Sequence, residues 1–236
     1  MKKELRTFLI LKMFFVNACD KMNKELYRTM DKQWFNNKND IGSFINYELD
    51  ELHNGRINEM LFKKILKQII LWDYTEYFSD TSEIKAESKA KYFGCKYWSE
   101  KAILNKFDLN SAVTINGETF IKMIDSSDKD LIHEHIIPRN IIINDILMMR
   151  DSHSSNKIIE YLDKYASGCV ISKEEDSTFD KNGLRQKLPK GFDSAYKLDN
   201  RWARYLATNI NAIYKCEWKR ISGNGWQLKS AERIEL

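Results

Sequence analysis

Apolar residues recur along this chain at two different spacings, and the change falls near residue 106. Upstream the interval is three to four. Leu5, Phe8, Leu9, Met13 and Val16 follow it, and Leu26, Met30 and Trp34 repeat it. Ile57, Met60, Leu61, Ile65, Ile69 and Trp72 mark one face of a further helix and leave Lys63, Lys64 and Lys67 for solvent. Ser79-Asp-Thr-Ser82 breaks that pattern and supplies a cap for the next helix. This last helix carries Tyr92, Phe93, Tyr97, Trp98, Ala102, Ile103 and Leu104, an aromatic stripe read as core rather than as a base-stacking face. The first apolar run is broken by Lys12 and falls short of the ~18 residues a membrane span requires. Asn17-Ala-Cys-Asp20 makes a poor cleavage site for a secretory signal. The N-terminal run therefore reads as a buried helix, with no membrane partner expected.

Downstream the period shortens. Ala112-Val-Thr-Ile115 and Thr119-Phe-Ile-Lys122 flank Asn116-Gly117, and Asn-Gly between β-rich runs predicts a hairpin closed by a type I′ turn. After a polar turn at 125–130 comes Leu131-Ile-His-Glu-His-Ile-Ile-Pro-Arg-Asn140, whose β-branched isoleucines predict a buried strand. His133 and His135 share one face of that strand and Glu134 points to the other. Pro138 ends the strand, so Glu134 and His135 lie where a bend can turn both toward one place. An apolar run follows from Ile141 to Met149. The loop around His153, read as a surface histidine, precedes a helix over 156–165 with Ile158, Ile159, Leu162 and Tyr165 buried and Gly168 as its stop. Cys169-Val-Ile171 reads as a strand, and Ser172-Lys-Glu-Glu175 as a capping box that opens another helix. Near the C-terminus an apolar helix is expected through Leu206, Ile210 and Ile213, then a small hairpin around Gly223-Asn-Gly225. The fold class is α+β: a helical N-terminal region, 1–106, and a mixed domain, 107–236.

Composition adds three points. Gly and Pro together number 11 of 236 residues, which argues against disorder and against a loop-rich sandwich. Cys19, Cys95, Cys169 and Cys216 form no Cys-x-x-Cys pair, so a zinc ribbon is not expected and the thiols read as reduced, in a cytoplasmic setting. The net charge of +4 is uneven: Lys181 to Leu236 hold 12 Lys or Arg against 5 Asp or Glu, leaving −3 for the first 180 residues. A basic C-terminal third suits a polyanion.

Glu134-His135-Ile-Ile-Pro138 resembles the first half of the HNH, or His-Me finger, nuclease motif. The resemblance implies a ββα finger that binds one divalent metal, Mg²⁺ or Mn²⁺. It implies His135 as general base and Glu134 as a metal-holding neighbour. An imidazole ordinarily titrates near pH 6.5, which suits proton transfer from water.

Two placements complete the metal site. In one, Asn156 is the helix ligand, 21 residues after His135. In the other, the finger strands are 131–137 and 169–171, the helix opens at Ser172, and Glu175 and Asp176 stand where such helices usually carry a histidine. The second supplies strand–helix geometry directly. Arg139, just past the proline, is the expected phosphate contact and joins His135 and Glu134 as the catalytic set. Lys173, Arg185, Lys187, Arg201 and Arg204 complete the expected nucleic-acid-binding set, with Arg201-Trp-Ala-Arg-Tyr205 interleaving cations and aromatics. The leading expectation is an endonuclease acting on nucleic acid, DNA before RNA, in restriction or phage defence, with a homodimer left open. The competing expectation is a non-catalytic nucleic-acid-binding or inhibitor protein on a degenerate finger.

Overall fold

The structure is a computed structural model that describes residues 35, 37–68, 74–75, 92–149, 154–192 and 200–236. The expected N-terminal helices around Leu5 to Trp34, the break at Ser79, His153 and Cys19 lie outside the described residues.

Two helices come first, α1 (Lys38–His53) and α2 (Glu59–Gln68). Asn37 is extended and its side chain accepts from the Asp40 N–H at 3.0 Å, so α1 begins where an Asn cap allows. The rest of the described chain runs β1 (Tyr97–Ser99), α3 (Glu100–Leu104), β2 (Phe107–Ile115), β3 (Glu118–Met123), β4 (Leu131–His135), α4 (Arg139–Met148), α5 (Ser155–Tyr165), β5 (Gly168–Ser172), α6 (Lys173–Lys181), α7 (Ala203–Leu206), β6 (Ala212–Ile221) and β7 (Gly225–Glu235). The fold is α+β. Five strands form one sheet in the order β4-β5-β1-β6-β7, and β2 and β3 pair separately. β1 lies parallel to β5 and antiparallel to β6, while β4–β5 and β6–β7 are antiparallel.

Strand alternation splits the core in two. Tyr97, Cys169, Ile171 and Ile213 face α1, α2, α4 and α5, among Ile45, Leu49, Ile65, Ile142 and Ile158. Trp98, Val170, Cys216 and Leu228 face the other way, onto α3 and the β2–β3 hairpin through Ile103 and Phe107. On that side the rings of Trp98, Trp218 and Phe107 lie 5.7–6.0 Å apart.

The Asn116-Gly117 hairpin forms as expected, with φ of 51° and 81° at its two central residues. Four expectations need correction. The stretch from Tyr92 to Leu104 is not one helix: Tyr97 and Trp98 are adjacent yet both buried in different cores, which only an extended backbone allows. The boundary after residue 106 consequently cuts through the sheet, since β1 precedes it and lies at the sheet's centre. Gly168 does not stop α5; Ala166 is the C-cap and Gly168 opens β5. The expected helix through Ile213 ends at Leu206, and Asn209 takes φ 61° before the chain enters β6, where Ile213 lies.

Candidate functional site

β4, β5 and α6 form an antiparallel strand pair followed by a helix, the second of the two placements expected for the finger. The register pairs Leu131 with Ser172 and His135 with Gly168. At Ser172 the chain leaves the sheet and turns into α6 through a complete capping box, in which Ser172 Oγ accepts from the Glu175 N–H and Glu175 accepts from the Ser172 N–H. At the other end of the pair, β4 stops at His135. Pro138 lacks an N–H to extend the sheet and serves as the N-cap of α4, making no side-chain cap hydrogen bond. This turn brings Glu134 and His135, which would point to opposite faces of a straight strand, to the wall of a single cavity.

That cavity is ≈ 220 Å³. Lys67 from the end of α2, Arg139 and Asn140 from the start of α4, and Arg185 and Gln186 after α6 close it around Glu134 and His135. His135 is 6% exposed. Arg139 is half-buried, and among the described residues its side chain makes no hydrogen bond or ion pair. Burial draws its pKa below the ordinary guanidinium value, and the nearby Glu134 carboxylate opposes that shift. Lys67 is exposed at the rim and likewise has no ion-pair partner among the described residues.

The carboxylates around the cavity are all committed. Glu134 Oε1 accepts from Arg204 Nη2 at 2.7 Å. Arg204 is fully buried, its guanidinium 4.7 Å from the Phe179 ring centroid. It also donates to the carbonyls of Ile136 at 3.4 Å, Leu184 at 2.9 Å, Arg185 at 3.2 Å and His135. One guanidinium thus joins the end of β4 to the segment after α6. Burial pushes the Glu134 carboxyl above its ordinary range, Arg204 pulls it back, and the charge of Asp176 adds to the upward push. Asp176 receives Arg185 through both oxygens, at 2.8 and 3.2 Å, and the same guanidinium also binds Asp180.

A divalent cation would need these carboxylates. Glu134 and Asp176 already hold guanidiniums, and a third, Arg139, faces the same space. No group of three or more His, Cys, Asp or Glu positioned for a metal exists among the described residues. Glu175 Oε2 accepts from both the Ser172 N–H, at 2.8 Å, and Ser99 Oγ, at 2.7 Å, so it stitches β1 to β5 and does not line the cavity. Asn156 is exposed in the first turn of α5, outside the β4–β5–α6 unit. As arranged, the donor set does not fit the metal that the resemblance implies.

The structure brings together His135, Glu134 and Arg139 of the expected catalytic set, and Arg185 with them. Arg204 is corrected: at 0% exposure it cannot touch nucleic acid. Its neighbours Trp202 and Tyr205 are core as well, with ring centroids 5.1 Å apart. Arg201 donates to Tyr97 Oη at 2.9 Å and stacks on that ring. Lys173 and Lys187 are exposed but do not line the cavity. Two participants were missed. Lys67 shares its helical face pattern with Lys63 and Lys64, and nothing in the sequence links it to Arg139. Gly168 makes room for His133: a Cβ there would lie 2.5 Å from the imidazole Cε1 and closer still to Nε2.

No protein-family model matches this chain, and no curated protein or solved structure matches it either.

Proposed function

We propose that this chain is a nucleic-acid endonuclease whose phosphodiester site is the cavity between the end of β4, the start of α4 and the segment after α6. The observation that carries the reading is the convergence on one small cavity wall of His135, at the end of a strand–strand–helix unit, with the half-buried Arg139, which pairs with no described residue. Arg139 seats the phosphate, and its cationic fork suits two phosphate oxygens. His135 takes a proton from water as the water oxygen bonds to phosphorus. The P–O bond to the sugar breaks, the departing oxygen takes a proton from solvent, and the imidazolium returns its own. Positioning and charge neutralisation supply the remaining lowering of the barrier.

The test is cleavage of supercoiled plasmid and of single-stranded RNA by wild type and His135→Ala, compared at matched melting temperature. Loss of the base is expected to slow cleavage by about 10²- to 10⁴-fold with binding retained. Equal rates in the two proteins would reject the assignment. A second reading has one observation in its favour: the acids of the strand–helix unit hold arginines rather than open coordination sites. On that reading the chain binds nucleic acid without cutting it. The same assay decides, because wild type would then bind without cleavage under every condition.

A further inference from the structure

We infer that this cavity holds a phosphate group of a nucleic-acid strand directly on Arg139 and Lys67, with no divalent cation between. The inference rests on the proposed phosphodiester site but not on its catalysis.

Charge balance is the first argument. Glu134 pairs with Arg204, and Asp176 and Asp180 share Arg185, so each of these acids already holds a guanidinium. Arg139 and Lys67 make no ion pair with any of the described residues. They come from different elements, the start of α4 and the end of α2, and line the same space. A guanidinium moved partly out of water is costly, its pKa here falls despite the nearby Glu134 carboxylate, and an arriving anion offsets that cost. A second cation at the same place would raise it.

Displaceability is the second argument. A metal ion at Glu134 would have to compete with Arg204. That side chain is fully buried and donates to five oxygens on two chain segments. Freeing Glu134 would leave the fully buried charge of Arg204 without its carboxylate. A phosphate displaces nothing. Asn140, whose amide donates to the Gln186 carbonyl at 3.0 Å, already braces the wall on which the phosphate would rest.

The test is calorimetric titration of the full chain in four arms: MnCl₂ alone, inorganic phosphate in EDTA, a short 5′-phosphorylated oligonucleotide in EDTA, and the same oligonucleotide with Mn²⁺. The oligonucleotide is expected to bind in EDTA, with Mn²⁺ changing the affinity less than about twofold and Mn²⁺ alone giving no saturable heat. Arg139→Ala should weaken binding by about 10- to 100-fold, the loss expected for a charge-assisted contact. Each of Arg139→Ala and Lys67→Ala should lower the salt slope by about one. Lys67 is exposed, so its variant keeps the test valid if Arg139→Ala folds poorly. Inorganic phosphate binding as tightly as the oligonucleotide would point to free phosphate as the ligand and overturn the nucleic-acid assignment. Stoichiometric Mn²⁺ uptake abolished by Glu134→Gln, or oligonucleotide binding only with Mn²⁺, would overturn the inference, as would no binding in any arm. Cleavage that requires Mn²⁺ would overturn it and leave the endonuclease standing. Metal-free binding without cleavage would support it and remove the endonuclease.

Discussion

Replacing Arg204 by methionine tests the joint on which the cavity depends. The side chain is fully buried and reaches Glu134 at 2.7 Å, together with four backbone carbonyls. Methionine fills similar volume and keeps contact with Phe179, so most of the packing survives. What disappears is the partner of a half-buried carboxylate and the donors to carbonyls that water does not reach. Removing one member of a buried pair costs about 3–5 kcal/mol. With a slope of roughly 2–3 kcal/mol per molar urea, the unfolding midpoint should fall by about 1–2.5 M. Glu134→Gln keeps an acceptor and removes the charge, so it should cost only about 1–2 kcal/mol. Combining the two should cost less than their separate effects, by about 1–3 kcal/mol, because methionine no longer strands an ionised acid. Arg204→Lys should recover part of the loss at most: an ammonium carries the charge but cannot reach five acceptors on two segments. The measurement is equilibrium urea unfolding of wild type and the four variants. A cost below about 1 kcal/mol for Arg204→Met, or strict additivity in the double variant, would show that the guanidinium does not carry this joint.

Gly168→Ala should destabilise by about 1–3 kcal/mol, because the new Cβ overlaps the His133 ring, and His133→Ala in the same chain should restore most of it; thermal unfolding of the two variants checks this. Gly117→Val should cost about 1–2 kcal/mol, since φ 81° excludes β-branched side chains, whereas open space around the site rules out a clash; an unchanged melting temperature would remove the hairpin turn as the cause. Asp125 is held below its ordinary carboxylate range by its hydrogen bond from Lys106, at 2.5 Å, and by the Ser127 N–H. Its folded pKa is depressed, so its contribution is present above the unfolded value of 3.8 and lost as pH falls through the lower folded value. Asp125→Asn should therefore flatten stability against pH in that acid window, and urea midpoints that drop with pH as steeply in the variant as in wild type would contradict it.

Local chemistry made much of the fold readable. The Asn-Gly hairpin, the Ser172 capping box and the arrest of β4 at Pro138 each follow from residues within four positions of the feature. Long-range packing hid the rest. Tyr97 and Trp98 sit in a helical-looking pattern, and only their pairing with Tyr214, Lys215 and Val170 makes them a strand. Ile210 and Ile213 keep helical spacing from Leu206, yet the helix stops before them because Asn209 at φ 61° breaks the backbone ahead of both. At the site, Glu134, His135 and Arg139 were legible because they lie within six residues. The partner that fixes Glu134's role lies 70 positions on.

That separation changes how the Glu-His-x-x-Pro stretch is to be read. A carboxylate at a strand end next to a histidine suits a metal only if no other cation reaches it first. Here Arg204 holds it in the folded chain, along with the carbonyls of His135 and Ile136 that follow it. A bound ion equilibrates with its concentration in solution, whereas a guanidinium carried by the chain arrives with the fold and cannot be removed by a chelator. Trp202-Ala-Arg-Tyr205 looks like a surface for nucleic acid because it interleaves cations and rings. The same interleaving builds a buried platform when the rings pack edge to face, Trp202 against Tyr205 and Tyr205 against Phe179, with the Arg204 guanidinium over the Phe179 ring. The arginine set that the sequence assigns to the ligand therefore divides by burial. Arg204 shapes the cavity from behind, Arg185 is shared between two aspartates, and Arg139 alone among these three meets the cavity without an ion pair to any described residue.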